Sequence, residues 1–240
     1  MNYKEYELYE LLITKKFLAQ GTRGIVLIND DDTLIKIPKE LSTYSLSFND
    51  FKESIEYLKT QKNNIYEENQ KKFMNLKINH DFIEFAKQII YVDKMYIGIL
   101  IKWYKNYKNI INFEYKNNNE ILELFEKIID YNNILINNGV YHLDLIPKNI
   151  LYNGQTIKII DIDGPGIIYQ ENHNEKHEDE SYYAIFLGLY ALLKIKFGND
   201  EDYLERKNEY ITIKQKYKNL NYQKSKELIK LINNKGIFVK

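Results

Sequence analysis

The stretch "YHLDLIPKNILYNGQTIKIIDIDG", Tyr141 to Gly164, decides how the chain is read. It sets His142, Asp144, Asn149 and Asp161 among apolar runs where a plain core would hold only Val, Ile and Leu. Two of those runs, "NILYN" and "TIKIID", read as short strands joined by a turn at Asn153–Gly154. Asn149 and Asp161 then stand across one hairpin from each other, and Asp144 stands in a loop just past a strand. A carboxylate in such a loop can accept a proton from a hydroxyl. An amide and a carboxylate facing each other make a hard-oxygen site suited to Mg²⁺. A base, oxygen ligands for a metal and a cation on the phosphates are the set that phosphoryl transfer requires.

Outward from that stretch the chain is β-rich before it and helix-rich after it. Leu8 to Phe17 is weakly helical or a lead-in. "KKFLAQGTRGIVLINDDDTLIKIP" reads as strand, Gly turn, strand, a polar turn at Asn29–Asp32 and a third strand ending at Pro38. Phe48 to Leu76 suggests one or two helices broken near Asn63–Asn64. "AKQIIYV" and "MYIGILIKWY" form a hairpin about Asp93–Lys94. After a polar crossing near residues 103–119, Ile121, Leu124, Phe125, Ile128, Ile129 and Leu135 recur at helical spacing, stopped by Gly139. Residues 165–180 read as a loop, and "YYAIFLGLYALL", the segment from Asn199 and "YQKSKELIKLI" read as helices. The order predicts an α+β chain of two lobes with a cleft between them.

Composition narrows the classes. In 240 residues, 44% hydrophobic content supports a real core. Lys+Arg 34 against Asp+Glu 34 gives no net field to recruit nucleic acid or an anionic membrane. The absence of Cys removes disulfides, thiolate nucleophiles and Cys-ligated zinc, and suits a reducing cytosol. No apolar run reaches the ~18 residues of a membrane span, so the expectation is a soluble, cytoplasmic protein with neither membrane nor nucleic-acid partner. "HNEKHEDE" sets His173 and His177 one helical turn apart, but an acidic loop is the better reading than a metal site.

"HLDLIPKN" followed by "IKIIDID" resembles the catalytic loop and metal-binding motif of the protein-kinase-like superfamily. His142, Asp144 and Asn149 stand at the His-x-Asp-x-x-x-x-Asn spacing, and Asp161 matches the Asp of Asp-Phe-Gly, with Ile162 for Phe and Asp163 for Gly. These departures are closer to the aminoglycoside and choline kinase relatives than to standard protein kinases. Upstream, "AQGTRGIV" is similar to the Gly-rich turn, with Gly21, Gly24 and Val26 matching and Ala19 in place of the first Gly. Lys36 in "TLIKIP" resembles the third-strand Lys.

The resemblance implies a two-lobed kinase fold, a β-rich N-lobe over 1–102 and a helical C-lobe over 103–240, using ATP and Mg²⁺. Asp144 would orient and deprotonate the acceptor hydroxyl, Asn149 and Asp161 would hold the metal, and Lys36 would contact the α and β phosphates. His142 would brace the loop, and the backbone near Gly21, Gly24 and Val26 would cover the nucleotide. Among Glu53, Glu56, Glu67 and Glu68, Glu68 is the preferred partner for Lys36. Backbone groups near Trp103 and Tyr104 would meet adenine. Asp179 or Glu180 would stand where the family keeps an Asp that braces the catalytic loop. Ile146 occupies the place where Ser/Thr kinases carry a Lys, so charge on the transferring phosphoryl group would be met by the metal, by Lys36 or by another cation, with Lys148 a candidate. The favoured acceptor is a protein Ser/Thr hydroxyl. A small-molecule kinase and a silent pseudokinase binding module stay open as alternatives.

Overall fold

The computed structural model describes residues 1–20, 24–41, 47–60, 65–76, 78, 81–84, 86–162, 164, 166–197, 215 and 218–234. The chain is mixed α+β and divides into two compact units. One is Met1–Lys77 with Glu84–Lys105, the other Ile78–Ile83 with Asn106–Lys240. The division falls at 105/106 rather than at 102/103, and the short segment 78–83 belongs to the second unit. That segment packs there through backbone that no periodicity announces: Ile83 bridges Ile159, and Ile159 N–H donates to the Phe82 carbonyl at 2.7 Å.

The first unit is built on a six-stranded sheet. Its strands are β1 (Asn2–Tyr3), β2 (Lys16–Gln20), β3 (Gly24–Ile28), β4 (Thr33–Pro38), β5 (Ala86–Val92) and β6 (Met95–Lys102), in the order β1-β5-β6-β4-β3-β2. β1 lies parallel to β5 and the other pairs are antiparallel. The β5–β6 turn is Asp93–Lys94, with φ of 48° and 69°. Positive φ at both central residues is the geometry that matches the twist of a tight hairpin.

Alternation divides the sheet into two faces. One face carries Ile25, Leu27, Ile35 and Ile37 against α1 (Glu5–Ile13) and α2 (Phe48–Thr60), through Leu8, Leu12, Phe51 and Ile55. At nine residues, α1 is too short to be stable alone. Burying Leu8 and Leu12, at roughly 1.5–3 kcal/mol for each side chain, is what holds it. The opposite face carries Leu34, Ala86, Ile99 and Ile101, with Val26, Ile28, Ile89 and Trp103 packed beside them. A third helix, α3 (Ile65–Asn75), turns Asn69, Gln70 and Phe73 inward. Two helices therefore occupy 48–75, and the expected break at Asn63–Asn64 lies outside the described residues.

The second unit is organised around α4 (Asn118–Asn137), which buries Ile121, Leu124, Phe125, Ile128, Ile129 and Leu135. Asn117 caps it by accepting from Glu120 N–H at 3.1 Å, worth about 1 kcal/mol. Gly139 ends it at φ +74°, where a Cβ would come within 2.5 Å of the Gln170 carbonyl oxygen. Short strands follow: β7 (Lys108–Asn109), β8 (Val140–His142), β9 (Ile150–Tyr152), β10 (Ile157–Ile159) and β11 (Ile167–Tyr169). β9 pairs with β10 and with β7, and β8 pairs with β11. α5 (Glu175–Phe197) and α6 (Tyr222–Asn234) pack on α4.

From residue 166 to 180 the chain has regular structure where a loop is expected. It contributes β11, the cap of α5 and the helix's first turn, because Asn174 Oδ1 accepts from Lys176 and His177 N–H groups. The helix expected from Asn199 falls mostly outside the described residues. None of the described helices is long and apolar enough to cross a membrane.

Candidate functional site

The second unit gathers His142, Asp144, Asn149 and Asp161. His142 ends β8 and Asn149 closes a 3₁₀ turn, Pro147–Asn149, that leads straight into β9. β9 and β10 pair Ile150 with Ile159, and Ile160 N–H donates to the Asn149 carbonyl at 3.0 Å. That hairpin brings Asp161 to the same end as Asn149.

Asn149 Nδ2 donates to the Asp144 carbonyl at 2.8 Å and to its carboxylate Oδ2 at 3.1 Å. The reverse orientation of the amide would set oxygen against oxygen, so Oδ1 points away from Asp144. The Asn149 amide oxygen and the Asp161 carboxylate, carried at one end of the β9–β10 hairpin, are hard donors of the kind Mg²⁺ takes, one or two from protein and the rest from water and phosphate. The donor set therefore fits that ion.

Asp161 itself sits at φ +62°, in the left-handed region. A non-Gly residue held there costs of order 1–3 kcal/mol and marks sites where backbone direction matters more than comfort. The chain beyond it folds back on the loop. Leu143 N–H donates to the Gly166 carbonyl at 2.7 Å, and a Cβ on Gly166 would lie 3.0 Å from Asp144 Cβ. Ile162, next along the chain, is buried.

His142 is only 1% exposed, and neither ring nitrogen meets hydrogen-bond geometry. Burial pulls its pKa down to about 4, against the nearby Ile160 backbone and the carboxylates of Asp161 and Asp144, which favour the charged ring. It is a neutral, enclosed residue beside two acids, placed to pack under the loop rather than to exchange protons near neutrality.

In the first unit, Val26, Lys36 and Ile99 are cross-strand partners and share the sheet face of Leu34 and Ile101. Lys36 is half-buried there with an apolar floor around it. Gly24 opens β3, and a Cβ on it would approach the Ile37 carbonyl to 2.9 Å. Gly21 and Asp163 lie outside the described residues.

Glu68 is exposed on α3, off the face formed by Asn69, Gln70 and Phe73, which argues against it as the partner of Lys36. On an 11-residue helix with four acidic or amide residues in a row, register alone could not tell which would turn inward. Trp103 N–H donates to the Asp32 carbonyl at 2.8 Å, and the Lys105 ammonium lies 4.7 Å from the Trp103 ring centre.

The brace of the loop is a further correction. Asp179 accepts from Leu220 N–H, and Glu180 lies 3.9 Å from Lys176. The contact to the loop comes from Ser181, whose buried hydroxyl lies 2.8 Å from Asn132 Oδ1 and 3.3 Å from the His142 carbonyl. Seven residues on, Gly188 lets Pro147 approach so closely that a Cβ would come within 2.7 Å of the Pro147 ring. A lone Gly inside an apolar helix was the signal available for it. His173 pairs with Glu178 at 3.2 Å while His177 packs edge-on against Tyr141, so the two histidines go separate ways. Among the described residues no three His, Asp or Glu side chains gather as a metal site.

A scan against protein-family models and a search of curated proteins both return no match.

Proposed function

We propose that the chain is an ATP- and Mg²⁺-dependent phosphotransferase with a two-lobed, protein-kinase-like fold. The observation that carries the reading is the Asn149 amide, whose nitrogen bonds the Asp144 carbonyl and carboxylate at the hairpin end that also bears Asp161. One side chain thereby links a base to a metal ligand. Asp161 also sits in the left-handed region at the end of that hairpin, and strained backbone collects at functional positions.

In this reading Asp144 receives the acceptor's hydroxyl proton. The acceptor oxygen forms a bond to the terminal phosphorus of ATP, and the bond from that phosphorus to the bridging oxygen breaks, leaving ADP. Asn149 and Asp161 would hold Mg²⁺, which when bound would neutralise charge on the phosphate oxygens. Lys36 contacts the α and β phosphates, the apolar face around Val26 and Ile99 receives the base, and the backbone near Gly21 and Gly24 covers the phosphates. His142 braces the loop from beneath.

Residues 167–174 are pinned by β8–β11 pairing, by Gln170 N–H to the Gly139 carbonyl and by Asn174 N–H to the Tyr141 hydroxyl. That order favours an enzyme without a long regulatory loop. The acceptor we favour is a protein Ser/Thr hydroxyl, with a small-molecule hydroxyl as the alternative.

The test is incubation of purified protein with γ-labelled ATP and Mg²⁺. Label should appear on protein or as released phosphate, and Asp144→Ala should lower the rate about 10²–10⁴-fold. Equal rates in both would leave a nucleotide-binding module without turnover. Separating labelled products of a cell extract into macromolecular and low-mass fractions distinguishes the two acceptor classes.

A further inference from the structure

The sequence holds two Asn-Gly pairs, Asn138–Gly139 and Asn153–Gly154, and both asparagines are exposed. In such a pair a backbone nitrogen can attack the preceding side-chain amide with little hindrance, because glycine presents no Cβ. Exposure does not tell the two pairs apart, but hydrogen bonding does. At the end of α4, Gly139 N–H donates to the Ile136 carbonyl at 2.9 Å, and the Gly139 carbonyl accepts from Gln170 N–H at 2.9 Å. Asn138 Nδ2 donates to the Ile134 carbonyl at 2.8 Å. Nucleophile and leaving group are both tied down there.

The turn between β9 and β10 has the opposite arrangement. Among the described residues, nothing accepts from Gly154 N–H or from Asn153 Nδ2. Asn153 Oδ1 accepts instead from Gln155 N–H at 3.0 Å, from Thr156 N–H at 2.8 Å and from the Thr156 hydroxyl at 3.3 Å. The Tyr107 hydroxyl, 2.6 Å from Thr156 Oγ1, can donate to it and leave the Thr156 proton for Asn153. Attack on Asn153 Cγ drives negative charge onto Oδ1, where these donors already converge.

We propose that Asn153 is a site of spontaneous covalent modification, and that the folded turn promotes it. The Gly154 nitrogen forms a bond to Asn153 Cγ and gives up its proton to water. The bond from Cγ to Nδ2 breaks and ammonia leaves, closing a succinimide ring. Water then opens the ring at either carbonyl, giving aspartate or isoaspartate, with no oxidation or reduction. Aspartate keeps an oxygen where Oδ1 stood. Isoaspartate lengthens the main chain between Tyr152 and Gly154. That insertion falls in a hairpin paired from Tyr152–Ile157 to Ile150–Ile159, whose far end carries Asn149 and Asp161. The inference stands whatever reaction the second unit performs.

The experiment ages the purified full chain at physiological temperature and mildly alkaline pH, folded and unfolded in guanidinium chloride. Samples taken over time are digested, and mass spectrometry reads the amide-to-acid change in the peptides holding Asn153 and Asn138. An isoaspartate-specific carboxyl methyltransferase with labelled S-adenosylmethionine reads isoaspartate in the same peptides. Asn153 should convert in the folded chain at least as fast as in the unfolded one, and methyl label should map to its peptide. Asn138 should convert about tenfold or more slowly when folded, since its hydrogen bonds must first open locally.

An unchanged Asn153 peptide in the folded chain would overturn the proposal. So would a folded-state rate for Asn153 well below the unfolded one, which would make the turn protective. Equal folded-state conversion of Asn138 and Asn153 would show that the hydrogen bonds do not select between them. Acid formation without methyl label would replace the succinimide by direct hydrolysis of the amide, and the proposed route would fall.

Discussion

His142 shows how a residue that looks reactive in sequence can be made inert by its surroundings. Desolvation outweighs two neighbouring carboxylates and holds the folded-state pKa near 4, below the ordinary 6.5. The sign follows from proton binding. Between pH 6.5 and pH 4 the unfolded chain takes up a proton at this imidazole that the folded chain refuses, so stability falls as pH falls through that window. The loss reaches about 3 kcal/mol and is absent above pH 6.5. Denaturant midpoints measured at pH 7 and pH 4.5 should therefore converge in His142→Leu more than in the unaltered protein. Identical pH slopes in the two would contradict a neutral buried ring. The motif in the sequence named this residue, but the depressed pKa came from the packing around it.

The loop from His142 to Asn149 is gripped at both ends by α5, through Ser181 at the His142 carbonyl and through Gly188 at Pro147. Gly188→Ala places a methyl group 2.7 Å from a proline ring that has no rotamer to escape into. We expect it to destabilise the protein by about 1–3 kcal/mol, the range for overpacking a tight core contact. It should also lower turnover more than affinity for the ATP analogue, since Asn149 and Asp144 ride on the displaced turn. A melting curve with parallel steady-state kinetics reads both, and unchanged kinetics would show that α5 does not position the loop. The helical period of α5 was readable from its apolar residues. Which polar residue of its first turns faced the loop was not, because Asp179, Glu180 and Ser181 are consecutive and only the helix's rotation selects among them.

For the whole molecule, ligand linkage gives the broadest check on the proposed activity. Anything that binds the folded state alone stabilises it by RT ln(1 + [L]/Kd), about 2.7 kcal/mol at a hundredfold excess over Kd. ATP with Mg²⁺ should raise the melting temperature by several degrees, chelation of Mg²⁺ should reverse most of the rise, and Asp161→Ala should abolish the Mg²⁺-dependent part. No shift at millimolar Mg²⁺–ATP would count against nucleotide binding altogether. Apolar alternation, helical spacing, turn residues and the Asp144–Asn149–Asp161 pattern were open to reading in the sequence by itself, because each depends on neighbours a few residues away. So were the α+β class, the β5–β6 hairpin and the helix closed by Gly139. The tertiary structure alone decided that segment 78–83 joins the second unit, that residues 167–169 become a strand against β8, that Glu68 faces outward and that Ser181 braces the loop. It also decided that Lys148 reaches Asp144. These depend on the rotation of whole elements and on contacts between distant segments, for which a linear chain carries no local signal.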